Sequence, residues 1–125
     1  MVVRGLPSLA DAEVDRIFHA LADTTRRDIL DRVIRGEQSV SSLAREYPMS
    51  FAAVQKHVAV LQRAALISKQ RRGKEQIVHA EVGALRRAAE LLDRYEQLWR
   101  HHAAAIEQLL AEDRSPAGKK EGKAP

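Results

Sequence analysis

Cysteine is absent from this chain of 125 residues. Disulfides, thiolate metal ligands and a cysteine nucleophile are therefore excluded before any spacing is weighed, and stability has to come from packing and association. No apolar run approaches the roughly 20 residues that span a bilayer, and the stretch from Met1 to Pro7 lacks the charged and apolar regions of a signal peptide. A cytoplasmic protein with no membrane partner is expected. Also missing are a glycine-rich phosphate loop, a His-Glu-x-x-His pair, a nucleophile elbow and any spaced acid pair outside ordinary helix faces, so the sequence does not read as an enzyme. There is no internal repeat.

What is present has the balance of one soluble globular domain, 45 % apolar and 30 % charged. The net charge of +4 is modest, but it is unevenly placed. Residues 1–44 and 75–114 are each net acidic, whereas residues 45–74 carry Arg45, Lys56, Arg63, Lys69, Arg71, Arg72 and Lys74 against Glu46 alone. A polyanion would dock on that middle segment. The last residues combine Lys119, Lys120 and Lys123 with Gly, Pro and Ala, a composition that does not fold. The boundaries expected are a flexible N-terminus (1–8), a folded domain (9–112) and a disordered basic tail (113–125).

Hydrophobic periodicity predicts five helices and a β-hairpin. From Asp11, Val14, Ile17, Phe18 and Leu21 form the stripe of a first amphipathic helix. Asp23 can cap a second, with Ile29, Leu30, Val33 and Ile34 on one side and Gly36 ending it. Ser39 can cap a short third, carrying Val40, Leu43, Ala44 and Tyr47 and stopped by Pro48. Only Pro48 and Met49 then precede Ser50, which can cap a fourth helix running to about Ala64 with Val54, Val58 and Leu61 on a shared face. Two short strands, Ile67–Gln70 and Gln76–His79, flank a basic tip in which Gly73 supplies a positive φ. A last helix from Val82 through Leu110 would be about 43 Å long. The preceding residues are too few to cover such a stripe, so part of it is expected to meet a second copy of the chain.

Two short helices joined by a turn, then a hairpin with a cationic tip, give the order of a winged helix-turn-helix, a mainly α fold that sets its second motif helix in the major groove of double-stranded DNA. At 100° per residue Val54, His57, Val58 and Leu61 face inward, and Ala52, Gln55, Lys56, Ala59 and Arg63 face outward. Small alanines permit close approach, Gln55 suits adenine, and Lys56 suits guanine or a phosphate. Ser50 and the free N–H groups at that helix start suit a phosphate, and Arg71, Arg72 and Lys74 suit the DNA backbone or minor groove. Ser39, Phe51, Ala53 and Lys69 complete the expected DNA-facing set. The expected dimer interface comprises Val14, Phe18, Leu85, Leu92, Tyr95, Trp99, Ile106 and Leu110.

Two segments also carry a family resemblance. Phe18-His19-Ala20-Leu21-Ala22-Asp23-Thr24-Thr25-Arg26-Arg27-Asp28-Ile29-Leu30 resembles the opening "ALADPTRRxIL" of the arsenic-repressor-like (ArsR) winged-helix regulators. Met49 to Leu61, with its Lys56-His57 pair, is similar to that family's recognition helix, and the likeness extends over about residues 14–110. It implies a homodimeric repressor, often acting on its own promoter, that binds imperfect palindromes and frequently answers to an effector. Three departures stand out. Members commonly have Ala-Gly-Leu where this chain has Ala64-Ala65-Leu66, which leaves open how that helix ends. Many have Ser in place of Gln55, so base preference does not transfer. The Cys-x-Cys of the metal sensors is replaced by Ser39-Val40-Ser41-Ser42-Leu43.

A second family metal site, on the last helix, would need Asp-x-His and His-x-x-Glu, and the available Asp93, His101, His102 and Glu107 match neither spacing. Adjacent histidines point about 100° apart on a helix and do not both face one ion, so no metal or cofactor is expected. His57 is expected to be packed or hydrogen-bonded beside the fourth helix. The alternatives carried are a metal- or small-ligand-responsive repressor, with Tyr95 and Trp99 near a site between protomers, and a winged helix that binds protein instead of DNA. The basic middle segment weighs against the latter.

Overall fold

A computed structural model of the chain describes residues 9–114, with side chains from Asp11 onward. The N-terminus expected to be flexible (1–8) lies outside the described residues, as does the expected tail from 115. Asp113 and Arg114, placed in that tail by composition, instead close the last helix.

The helix α1 (Leu9–Leu21) buries Ile17 and Ala20, with Phe18 and Leu21 half-buried against them. Asp23 accepts a hydrogen bond from Arg26 N at 3.0 Å and so starts α2 (Thr24–Arg35), while the Gly36 N–H closes it onto the Arg32 and Val33 carbonyls. Ile29, Leu30 and Val33 are buried, but Ile34 is 55 % exposed. It falls about 90° from the middle of that stripe, beyond the reach of the core.

A two-residue strand, β1 (Gln38–Ser39), was not expected from the pattern. Ser39 then caps α3 (Val40–Ala44), its Oγ accepting from Ser42 N at 3.0 Å. This helix ends three residues before Tyr47, so the connection to α4 is longer than Pro48-Met49. Proline disfavours helical geometry in the residue before it, and Tyr47 turns instead towards α2. Next come α4 (Phe51–Arg63), β2 (Ile67–Arg72), β3 (Glu75–Ala80) and α5 (Val82–Arg114).

The three strands are antiparallel in the order β1-β3-β2, with Gln38 opposite Val78 and Lys69 opposite Val78 from the other side. The hairpin loop is only Gly73-Lys74, with Gly73 at φ 64°, where a side chain would be strained. Leu43, Val54, Val58, Leu61, Leu66 and Val78, all fully buried, tie α3, α4 and the sheet into one core with α1 and α2.

The end of α4 answers the question left by Ala64-Ala65-Leu66. Leu66 N bonds Leu61 O at 3.0 Å and Ala65 N bonds Gln62 O at 2.9 Å, the pair of bonds of a Schellman ending. Ala65 stands at φ 60°, so the chain turns through the left-handed region without a glycine. Leu66 and Leu61, both fully buried, supply the apolar contact that accompanies this ending.

The chain divides into two compact units, residues 1–89 and 90–125. In the first, α5 contributes the buried Ala84 and Ala88 and the half-buried Leu85. In the second, the described part is the helical stretch 90–114. Among the described residues no helix is long and apolar enough to cross a membrane.

Candidate nucleic-acid interface

The helix α4 divides its residues between two duties. Val54, Val58 and Leu61 are at 0 % exposure, which fixes the rotation of the helix, and Ala52, Gln55, Lys56 and Arg63 consequently lie exposed. Ala59 and Ala53, expected to face the groove, are half-buried. An alanine is short enough for flanking side chains to shade it, and Val60, beside Ala59, packs against the core. Phe51 is 48 % exposed at the start of the helix. Ser50 Oγ accepts from Ala53 N at 3.1 Å, satisfying one of the free N–H groups at that end.

Ser39, expected both to cap the third helix and to face DNA, is half-buried, and its hydroxyl oxygen caps α3 by accepting from Ser42 N. Lys69, Arg71 and Lys74 are exposed on the hairpin and, like Lys56 and Arg63, form no ion pair among the described residues. Arg72 differs. Its Nη1 lies 2.7 Å from Glu37 Oε1, and this guanidinium holds the Glu37 carboxyl below its ordinary pKa. His79 Nδ1 is 3.2 Å from Glu37 Oε2. The sequence reading missed Glu37, since nothing in local spacing links it to a residue 35 positions on.

Behind the helix a second arginine organises the frame. Arg26, its side chain only 12 % exposed, donates from Nε to Ala20 O at 2.9 Å and from Nη2 to His19 O at 3.1 Å, satisfying carbonyls at the end of α1. Its Nη1 is 3.2 Å from His57 Nδ1. A guanidinium is donor only, so the Nδ1 of His57 accepts and its proton is on Nε2. His57 thus hydrogen-bonds the α1–α2 junction from α4, as expected. Asp23 is held below its ordinary pKa by the Arg26 backbone N–H, aided by the charge of the Arg26 guanidinium. A companion cluster joins α2 to the α3–α4 connection: Tyr47 donates to Asp28 Oδ2 at 2.6 Å, and Arg32 Nε donates to the same oxygen at 2.9 Å.

Of the residues expected at a dimer interface, Phe18 and Leu85 are half-buried against the core and Val14 is half-buried. Leu92, Tyr95, Trp99, Ile106 and Leu110 are exposed, Trp99 at 66 %. Leu98 and Leu109, not singled out before, are equally exposed. Among the described residues no group of three or more His, Asp or Glu is placed to hold a metal ion.

Comparison with known proteins places these features in a lineage. No family model matches the chain. It is 34 % identical over 96 residues to an HTH-type transcriptional regulator of Mycobacterium tuberculosis, covering 77 % of this chain and 87 % of that protein. An ArsR-like transcriptional regulator from Rhodococcus sp. RHA1 superposes with a TM-score of 0.70 at 38 % identity, covering 78 % of this chain and 92 % of that one. The homodimeric winged helix-turn-helix DNA-binding domain of a possible ArsR-family regulator from Mycobacterium bovis gives a TM-score of 0.57 at 27 % identity, over 80 % of this chain and 97 % of that one.

Proposed function

Because the chain belongs to the ArsR family of HTH-type transcriptional regulators, and so is a regulator and not an enzyme, we propose that it acts as a homodimeric repressor that reads an imperfect palindrome. In this reading α4 enters the major groove. Ala52, Gln55, Lys56 and Arg63 meet base edges or phosphates, with Phe51 at the entry and Ala53 and Ala59 permitting close approach. The start of the helix at Ser50 and the cations Lys69, Arg71, Arg72 and Lys74 contact the backbone. Repression would include the protein's own promoter.

One observation carries the reading: the face of α4 opposite Val54, Val58 and Leu61 is exposed, and its Lys56 and Arg63, with Lys69, Arg71 and Lys74 of the hairpin, have no acidic partner among the described residues. A surface of unneutralised cations beside a core-anchored helix suits a polyanion with a groove. Selection of duplexes from a random pool tests it, and the expected result is enrichment of one half-site in inverted repeat. If no sequence is enriched, specific repression is wrong. With an operator in hand, Gln55→Ala should relax base preference at one position, costing about 1–3 kcal/mol of discrimination. Lys74→Ala should weaken all sequences alike and lower the salt slope by about one unit.

A further inference from the structure

The arginine of the hairpin already has an anion. Arg72 Nη1 is 2.7 Å from Glu37 Oε1, while the other carboxylate oxygen, Oε2, lies 3.2 Å from His79 Nδ1. Gln38 pairs with Val78 in antiparallel register, which sets Glu37 beside His79. The Nε2 of His79 is buried without a hydrogen-bond partner. A proton on that atom would be an orphaned donor, and the Nδ1 edge of the ring is the one that lies at ion-pair distance from Glu37. Glu37 is thus flanked by His79 on the sheet side and by Arg72 on the hairpin side. The neighbouring cations Lys69, Arg71 and Lys74 have no such partner among the described residues.

A carboxylate and a phosphodiester offer a guanidinium the same recognition surface, two anionic oxygens in one plane. Resting on the DNA-binding reading above, we propose that Glu37 is a built-in substitute for a DNA phosphate: it holds Arg72 in the free protein and yields it to duplex DNA, and so limits the affinity the hairpin adds. What Arg72 contributes to DNA binding is then the difference between a phosphate and Glu37, whereas Lys74 contributes in full. With the two side chains 57 % and 45 % exposed, the internal pair is screened by solvent. It is weak enough for a phosphate to displace.

The test uses the full chain, a mixed-sequence DNA duplex and about 50 mM salt, where backbone contacts dominate. Glu37→Gln, nearly isosteric at an exposed position, should tighten binding about two- to fivefold and steepen the salt dependence by up to about one unit. In an Arg72→Ala background the same change should bring no gain, and Arg72→Ala should cost more in the Glu37→Gln background than in the parent. A gain that survives Arg72→Ala would mean that removal of any negative charge suffices, and the proposal fails. Unchanged or weaker binding by Glu37→Gln would make Glu37 a strut for Arg72, which also overturns it. If the parent chain binds no duplex at all, the DNA-binding reading falls first, and that result is distinct from either of the others.

Discussion

Ala65 occupies a conformation that a side chain resists. Its φ of 60° lies in the left-handed region, where an L-residue other than Gly or Asn bears about 1–2 kcal/mol of strain. The Schellman bonds of Ala65 and Leu66 and the burial of Leu66 hold it there. Ala65→Gly relieves the strain but gives the unfolded chain more freedom, so a net gain of about 0.5–1 kcal/mol is expected. Equilibrium denaturation would show a higher midpoint at an unchanged slope, and an unchanged midpoint would mean that the surroundings absorb the strain. The sequence exposes the missing glycine but not the outcome, because the helix ending is imposed by Leu66 reaching the core, a tertiary contact. Glu37 was illegible for the same reason: its significance depends on Arg72 and His79, which only the folded sheet brings to it.

At the scale of elements, capping residues carried most of the legible information. Asp23, Ser39 and Ser50 each cap the helix their position indicates, and Gly36 ends α2. A cap is a local bond within three residues, so local sequence suffices to find it. A strand of two residues has no period to detect, and β1 exists only through Val78 and Ile77 across from it. The early end of α3 likewise follows from the Tyr47–Asp28 bond to α2.

That bond gives α2 and the α3–α4 connection a pH signature. The hydrogen bond from Tyr47, then that from Arg32, holds the Asp28 carboxyl below its ordinary value of 3.8. A carboxyl depressed on folding adds stability above its unfolded pKa and loses it as pH falls through the folded one, so this contribution fades below about pH 4. Tyr47 is shifted the other way, pushed up to about 12 from 10.0 by burial and then by its bond to Asp28. A phenol raised on folding adds stability that is complete below pH 10 and lost as pH rises towards 12. Tyr47→Phe should therefore lower stability at neutral pH while flattening both limbs of the stability profile, read from denaturant midpoints across pH. Limbs as steep as those of the parent protein would show that Tyr47 and Asp28 do not titrate with folding.

For the whole molecule, the decisive feature is the stretch of α5 from residue 90 to 114. It leaves Leu92, Tyr95, Leu98, Trp99, Ile106, Leu109 and Leu110 exposed. Leu92, Trp99 and Ile106 recur every seven residues, with Tyr95 and Leu109 three positions after the first and last of them, the spacing of a seam between paired helices. Such a continuous apolar stripe is unfavourable in water and is normally covered by a partner. On the proposed reading the partner is a second copy, which also explains why a palindrome is the expected target: two α4 helices related by a two-fold axis meet half-sites about 34 Å apart. Leu92→Glu with Trp99→Glu places like charges where the seam would be dry. Light scattering should then report half the parent mass. The variant's affinity for a duplex with both half-sites should drop to nearly that for one half-site, since linkage of the two readers is what raises the former. Both side chains are exposed, so helical content by circular dichroism should stay close to that of the parent. A variant that keeps the parent mass would move the dimer contact away from this stripe, to the surface that includes Val14, and the spacing expected of the half-sites would have to be rederived from there.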